Sequence, residues 1–217
     1  MKTDKQIQQD VLDELEWDPA VNAAEIGVTA KGGAVTLSGS VDSYGSKWAA
    51  ERAALRVAGV KELAVELDVE LTGVSERKDD DIARAAETAL NWNEFVPTDK
   101  IKIMVEKGWL TLSGEVDWAY QRQWAADSVA HLRGVTGVTN NITIRQRVVP
   151  SDIKSNIEAA LKRVAQSEAQ AMSVDVNGGQ VTVQGPLHSW AEHDTITHAV
   201  WSAPGVTNVV DRTYVTY

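Results

Sequence analysis

The sequence has no cysteine, which excludes disulfides, thiolate metal sites and cysteine nucleophiles together. Phenylalanine occurs once, against eight tryptophans and four tyrosines, so the aromatic side chains are mostly those with a polar handle. No run reaches the roughly 18 apolar residues that a membrane-crossing helix requires. The opening residues Met1-Lys2-Thr3-Asp4-Lys5-Gln6-Ile7 contain no apolar h-region and no small-residue cleavage site, and a cytoplasmic location is expected. Basic residues are also scarce, since 21 Lys and Arg face 31 Asp and Glu for a net charge of −10. That charge is uneven: residues 1–73 carry −6, residues 74–147 carry −1 and residues 148–217 carry −3. No Lys/Arg cluster is present to displace the counterions of a nucleic acid, so a nucleic-acid partner is not expected.

What the chain has instead is repetition. The string Ala34-Val35-Thr36-Leu37-Ser38-Gly39-Ser40-Val41 returns as Trp109-Leu110-Thr111-Leu112-Ser113-Gly114-Glu115-Val116, and again as Gln180-Val181-Thr182-Val183-Gln184-Gly185-Pro186-Leu187. The offsets are 75 and 71 residues, and the same offsets align Ile7, Ile82 and Ile153, and then Gly59, Gly134 and Gly205. Landmarks that coincide at three separated places define a triplication, with repeats at 1–72, 75–147 and 150–217.

Each repeat reads as α-β-β-α-β. The first helix is marked by apolar residues at helical spacing: Ile7, Val11, Leu12 and Leu15, then Ile82, Ala86, Ala89 and Leu90, then Ile153, Ile157, Ala160 and Leu161. Asp4 and Ser151 are candidate N-caps, and Pro19 and Pro97 lie beyond the helix ends. A period-two strand follows through Ile26, Val28 and Ala30, or Ile101, Ile103 and Val105, or Met172, Val174 and Val176. Its polar alternates mark a sheet buried on one face. The turns Lys31-Gly32-Gly33, Glu106-Lys107-Gly108 and Asn177-Gly178-Gly179 predict hairpins leading into second strands with Val35/Leu37, Leu110/Leu112 and Val181/Val183 inward. The second helix is expected to stop at Gly59, Gly134 or Gly205, placed just past its end. A last strand runs through Leu63, Val65, Leu67 and Val69, or Val138, Ile142 and Ile144, or Val209 and Val215. The expected fold is α+β, with two helices on one face of a three-stranded mixed sheet, three times over.

The pattern apolar-Thr-apolar-Ser-Gly-x-apolar, followed by a helix and Gly-Val, resembles the BON domain (bacterial OsmY and nodulation). Gly39-Ser40-Val41 with Gly59-Val60, Gly114-Glu115-Val116 with Gly134-Val135, and Gly185-Pro186-Leu187 with Gly205-Val206 carry the likeness. It spans nearly the whole chain and is similar to the cytoplasmic triple-BON, OsmY-like type. The resemblance implies phospholipid or envelope association and a place in osmotic or envelope stress.

Several residues are candidates for function. Gly39, Gly114 and Gly185 have the look of a family hallmark, but they fit a structural role, giving close approach over a helix or a positive φ. Trp17 and Trp92 occupy equivalent positions at the end of the first helix, with Arg163 in the third copy, and are expected to lid the core. Tyr44, Trp118, Tyr120 and Trp190 stand at or just before the second helix of their repeats. They either staple the helix start to the sheet or form an interaction surface. Asp194 and His198 lie at i, i+4 spacing near His188 and His193, but the other repeats lack such a set, and no metal site is expected. Asp42 and Asp117 fit N-caps, and Asp79-Asp80-Asp81 fits a helix start where acids complement the dipole. No Walker loop, Rossmann fingerprint or zincin helix occurs, so neither catalysis nor a cofactor is expected.

The leading expectation is a non-catalytic scaffold of three modules joined by short linkers, Leu71 to Lys78 and Arg145 to Pro150. Weak contacts to a protein partner would add through avidity. A phospholipid surface is the alternative partner. An anionic leaflet attracts basic patches, so only the middle repeat, with Lys100, Lys102, Lys107, Arg122 and Trp109, suits one. Self-association through exposed edge strands is the third possibility.

Overall fold

The computed structural model describes residues 2–73, 75–145, 153–164 and 172–216. The chain forms two compact units, residues 1–113 with 125–141, and residues 114–124 with 142–217. The candidate cap Ser151 and most of the second linker lie outside the described residues.

The first repeat consists of α1 (Asp4–Trp17), β1 (Ile26–Lys31), β2 (Ala34–Val41), α2 (Tyr44–Arg56) and β3 (Glu62–Val69). The second has α3 (Asp79–Trp92), β4 (Ile101–Glu106), β5 (Trp109–Val116), α4 (Ala119–Ala130) and β6 (Gly137–Ile144). The third has α5 (Ile153–Val164), β7 (Ser173–Asn177), β8 (Gln180–Leu187), α6 (Trp190–Trp201) and β9 (Asn208–Val215). Every strand thus joins a sheet built from its own repeat, in the orders β1-β2-β3, β4-β5-β6 and β7-β8-β9. In the first, β2 runs antiparallel to β1, with Val28 opposite Leu37, and parallel to β3, with Leu37 opposite Val65. The third repeat pairs the same way, with Val174 opposite Val183 on one side and Val181 opposite Val209 on the other. Single 3-10 turns at Ala23–Glu25 and Thr98–Lys100 precede β1 and β4; periodicity does not disclose them because they are three residues long. Met172 lies one residue before β7, not within it.

The apolar stripes become the cores. Ile7, Val11 and Leu15 of α1 meet Val35 and Leu37 of β2 and the Ala50, Ala53 and Ala54 face of α2, all buried. Alanines on α2 keep that helix close to α1 and the sheet. Burying one Leu of this kind stabilises by about 1.5–3 kcal/mol. Ile153, Ile157 and Leu161 of α5 meet Val181 and Val183 of β8 and Ile196 and Val200 of α6 in the same way.

Gly39 has a different neighbour from the one the sequence suggests. It sits inside β2 at φ 118°, and a Cβ there would fall 2.0 Å from the backbone carbonyl oxygen of Glu25. The constraint is therefore positive φ plus the entry of the adjoining strand, not a helix overhead. Gly114 and Gly185 share the positive φ, at 142° and 154°. The terminal glycines are also displaced from the expected position. α2 ends at Arg56 with Val57 as C-cap, so Gly59 (φ 110°) belongs to the turn towards β3. A Cβ on it would press on Ile7 of α1 at 3.0 Å. Gly134 and Gly205 each stand four residues past the ends of α4 and α6.

The caps shift by one residue. Thr3, not Asp4, caps α1, in a capping box with Gln6. The Asp4 carboxylate instead accepts the Gly33 N–H of the hairpin turn at 3.3 Å. Asp79 at the start of α3 accepts the Lys107 and Gly108 N–H groups of its own hairpin, both at 2.9 Å. Ser43, not Asp42, caps α2 by accepting the Ser46 N–H, and Ser189 caps α6. Asp117, in the turn before α4, has its own N–H donating to the Gln121 Oε1.

Candidate functional site

Among the described residues, the large hydrophobic side chains exposed most fully are the two that the sequence assigns to lidding the core. Trp17 and Trp92 are 84% and 86% exposed. Each is the last residue of the first helix of its repeat, where the buried face has already passed to Leu15 and Leu90. They are surface residues, not lids, because the helix turns its final position outward. Phe95, three residues beyond Trp92, is also half exposed. Beside Trp17 runs a shallow groove with Asp10, Asp13, Glu14 and Val57 along it. The middle sheet carries a second exposed set, with Met104 and Trp109 among its outward residues.

The aromatic residues singled out by the sequence differ in exposure and in what holds them. Tyr44 is the first residue of α2 and half buried, in hydrogen-bond contact with the Val138 backbone of β6. Burial and the nearby Glu51 carboxylate raise its phenol above the ordinary 10.0. Trp109 is 51% exposed but fixed: its indole N–H donates to the Thr139 hydroxyl at 2.9 Å. The ring lies flat on Gly137, where a Cβ would meet it at 2.4 Å. Trp118 is half buried before α4, while Tyr120 on α4 is about half exposed. Trp190 opens α6 half buried, with its ring edge-on to His193 at 5.1 Å between centroids.

The remaining polar candidates are held in local networks. His193 meets the Asp211 carboxylate of β9 at 2.5 Å. Burial pushes the Asp211 carboxyl up, but hydrogen bonds from the Thr213 hydroxyl and N–H and from His193 outweigh it and hold the group below 3.8. Asp194 and His198 line one shallow groove with Arg163, and among the described residues no three such ligands converge. Arg122, expected to face an anionic surface, is half buried and lies over the Trp201 ring at 4.6 Å. That burial lowers its guanidinium from the usual value.

Sequence reading missed one further place. A cleft of about 650 Å³ runs between α2 and the turn after α4, lined by Ser43, Trp48, Arg52, His131 and Arg133 among others. Arg52 lies over the Trp48 ring at 4.8 Å, and His131 meets that ring edge-on at 5.3 Å. Arg56 closes one end by ion pairs to Glu14 at 2.8 Å and Asp18 at 3.0 Å. The Arg56 hydrogen bond, helped by the Ala20 N–H, holds the Asp18 carboxyl below 3.8.

A mixed three-stranded sheet carrying two helices, with a positive-φ glycine inside each central strand, defines a small α+β domain repeated in tandem. The BON domain model matches residues 3–70, 78–146 and 151–216, and the chain belongs to the BON domain family. No curated protein matches the chain. Two solved structures of CdsD, a structural protein of the type III secretion system of Chlamydia trachomatis, are similar to it at 15% identity and a TM-score of 0.27. Both matches cover 96% of this chain, against 91% of one CdsD chain and 96% of the other, a C-terminal domain. At that score neither carries weight for function.

Proposed function

We propose that the chain is a non-catalytic binding protein whose modules engage a protein partner through aromatic side chains at the ends of their first helices. The BON family is generally non-enzymatic, and its association with osmotic or envelope stress supplies the setting. The observation that carries the reading is the matched exposure of Trp17 and Trp92, at 84% and 86%. A large apolar ring left in water at one equivalent place in two repeats serves no core, and such rings anchor protein interfaces. Two modest contacts on one chain reinforce each other when both can be made at once.

The test is photocrosslinking in cells from a benzophenone amino acid at position 17, 92 or 109. Positions 17 and 92 are expected to capture the same protein and position 109 not to. Crosslinks only to lipid, or equal yields from all three, would overturn it.

A phospholipid surface is the second reading, favoured by Met104, Trp109 and the exposed Lys102 on the nearly neutral middle repeat. Among the described residues no helix is long and apolar enough to cross a membrane, so contact of this kind would be peripheral. Flotation with zwitterionic and anionic vesicles, read with tryptophan emission, separates the two readings. A blue shift lost in Trp109→Ala but kept in Trp17→Ala would favour lipid. Self-association through β1 or β3, the edge strands of the first sheet, predicts a mass that rises with concentration in light scattering.

A further inference from the structure

We infer that the cleft between α2 and the turn after α4 binds a soluble phosphorylated metabolite of pyrophosphate size or larger. This goes beyond the protein-partner reading and involves neither Trp17 nor Trp92. Three observations carry it. The first is charge. In a chain of net charge −10, the cleft brings together Arg52, Arg56, Arg133 and His131 against only Asp18 and Asp42. Asp18 is occupied by Arg56, and the Asp42 carboxylate accepts the Ser46 hydroxyl at 3.0 Å.

The second is the state of the arginines. Arg56 is spent on Glu14 and Asp18. Arg133, by contrast, is exposed and has no ion pair or hydrogen bond among the described residues. Arg52 is exposed and lies over the Trp48 ring, and its side chain has no ion pair or hydrogen bond among the described residues. Two guanidinium forks free of carboxylates, in a cleft within the usual range for small-ligand sites of about 300–1,000 Å³, match the bidentate geometry of phosphate oxygens.

The third is that the set is not part of the repeated fold. The equivalents of Trp48 and Arg52 are Gln123 and Asp127 in the second repeat and Asp194 and His198 in the third. Gly45 becomes Tyr120 and Ala191, and a Cβ at Gly45 would meet the His131 Nδ1 at 3.1 Å. Positions needed for folding recur here; these do not, and Gly45 makes room for His131 to reach the cleft.

Calorimetric titration of the full chain with inorganic pyrophosphate, at fixed ionic strength, tests the assignment, with sulfate as comparison. Binding is expected with pyrophosphate well ahead of sulfate. Arg52→Gln and Arg133→Gln should each weaken it about tenfold or more, and Arg212→Gln, an exposed arginine on β9, should leave it unchanged. Pyrophosphate should also shift the Trp48 indole resonance, identified through Trp48→Phe, in a protein whose melting temperature the two arginine variants preserve. Lack of binding at millimolar pyrophosphate would overturn the site. So would affinity untouched by both arginine variants, an equal loss in Arg212→Gln, or sulfate binding as tightly.

Discussion

The first and third repeats share a backbone plan and differ in what they show to solvent. Both pair their central strand antiparallel to one neighbour and parallel to the other. Both interrupt that strand with a positive-φ glycine, Gly39 or Gly185, and both cap the second helix with a serine, Ser43 or Ser189. Yet α1 ends in a bare tryptophan where α5 has Arg163, and the outer face of α2 carries Trp48 and Arg52 where α6 carries Asp194 and His198. Positions that answer to backbone geometry are copied, and positions that answer to solvent or a ligand are free to diverge. In a triplicated chain, identity at a position therefore reports a folding requirement only where the residue is also buried or has constrained backbone. Trp17 and Trp92 show why the second condition is needed.

The comparison breaks hardest at Gly39. Gly39→Ala combines a positive φ with a Cβ 2.0 Å from a carbonyl oxygen, and should cost about 3 kcal/mol or more in denaturant unfolding. Gly32→Ala, also at positive φ but with nothing within 4 Å of its Cβ, should cost only about 1 kcal/mol. Equal losses would show that close approach contributes nothing. Next in size, Ser43→Ala and Ser189→Ala should each cost about 1 kcal/mol, while Asp42→Ala should cost less than Ser43→Ala. A larger loss at Asp42 in thermal melts would return the cap to that residue.

Smaller again is the Arg56 pair, which the third repeat lacks, having Ser202 at the position that aligns with Arg56. The folded Asp18 carboxyl is lowered by Arg56, so its stabilisation is complete above the unfolded value of about 3.9 and fades as pH falls below about 4. Arg56→Gln should cost roughly 0–1 kcal/mol at neutral pH, and the gap from wild type should narrow in melts as pH falls below about 4. A gap that widens on acidification would reverse the assignment. Least of all, Trp17→Ala and Trp92→Ala should change stability by about 0.5 kcal/mol or less. A loss of several kcal/mol from either would restore the core-lid role.

Periodicity was enough to read the first helix and the strands of each repeat, because burial on one face imposes apolar spacing that depends on local sequence alone, while the second helices were read from the glycines that follow them. The one-residue errors at Thr3 and Ser43 arose where two cap-competent residues stand side by side, Thr3-Asp4 and Asp42-Ser43. Only the spatial position of the hairpin turn, which takes the Asp4 carboxylate, decides between the first pair. Trp17 was misplaced because a helical stripe says which residues face inward but not where the helix runs out of core to cover. The cleft could not be read at all. Its arginines and histidine come from Arg52 and from His131 and Arg133, nearly 80 residues further on, and no local pattern links them.

Each sheet draws all three of its strands from a single stretch of chain. Among the described residues no repeat borrows a strand from its neighbour to satisfy its backbone. A gene segment encoding one such stretch can be duplicated in frame without leaving an unpaired ladder in either the parent or the copy. The same closure lets a spare copy accumulate changes at Trp48, Arg52 or Trp17 while the original keeps folding. Triplication followed by divergence at the surface is the evolutionary history that this hydrogen-bond topology makes easy.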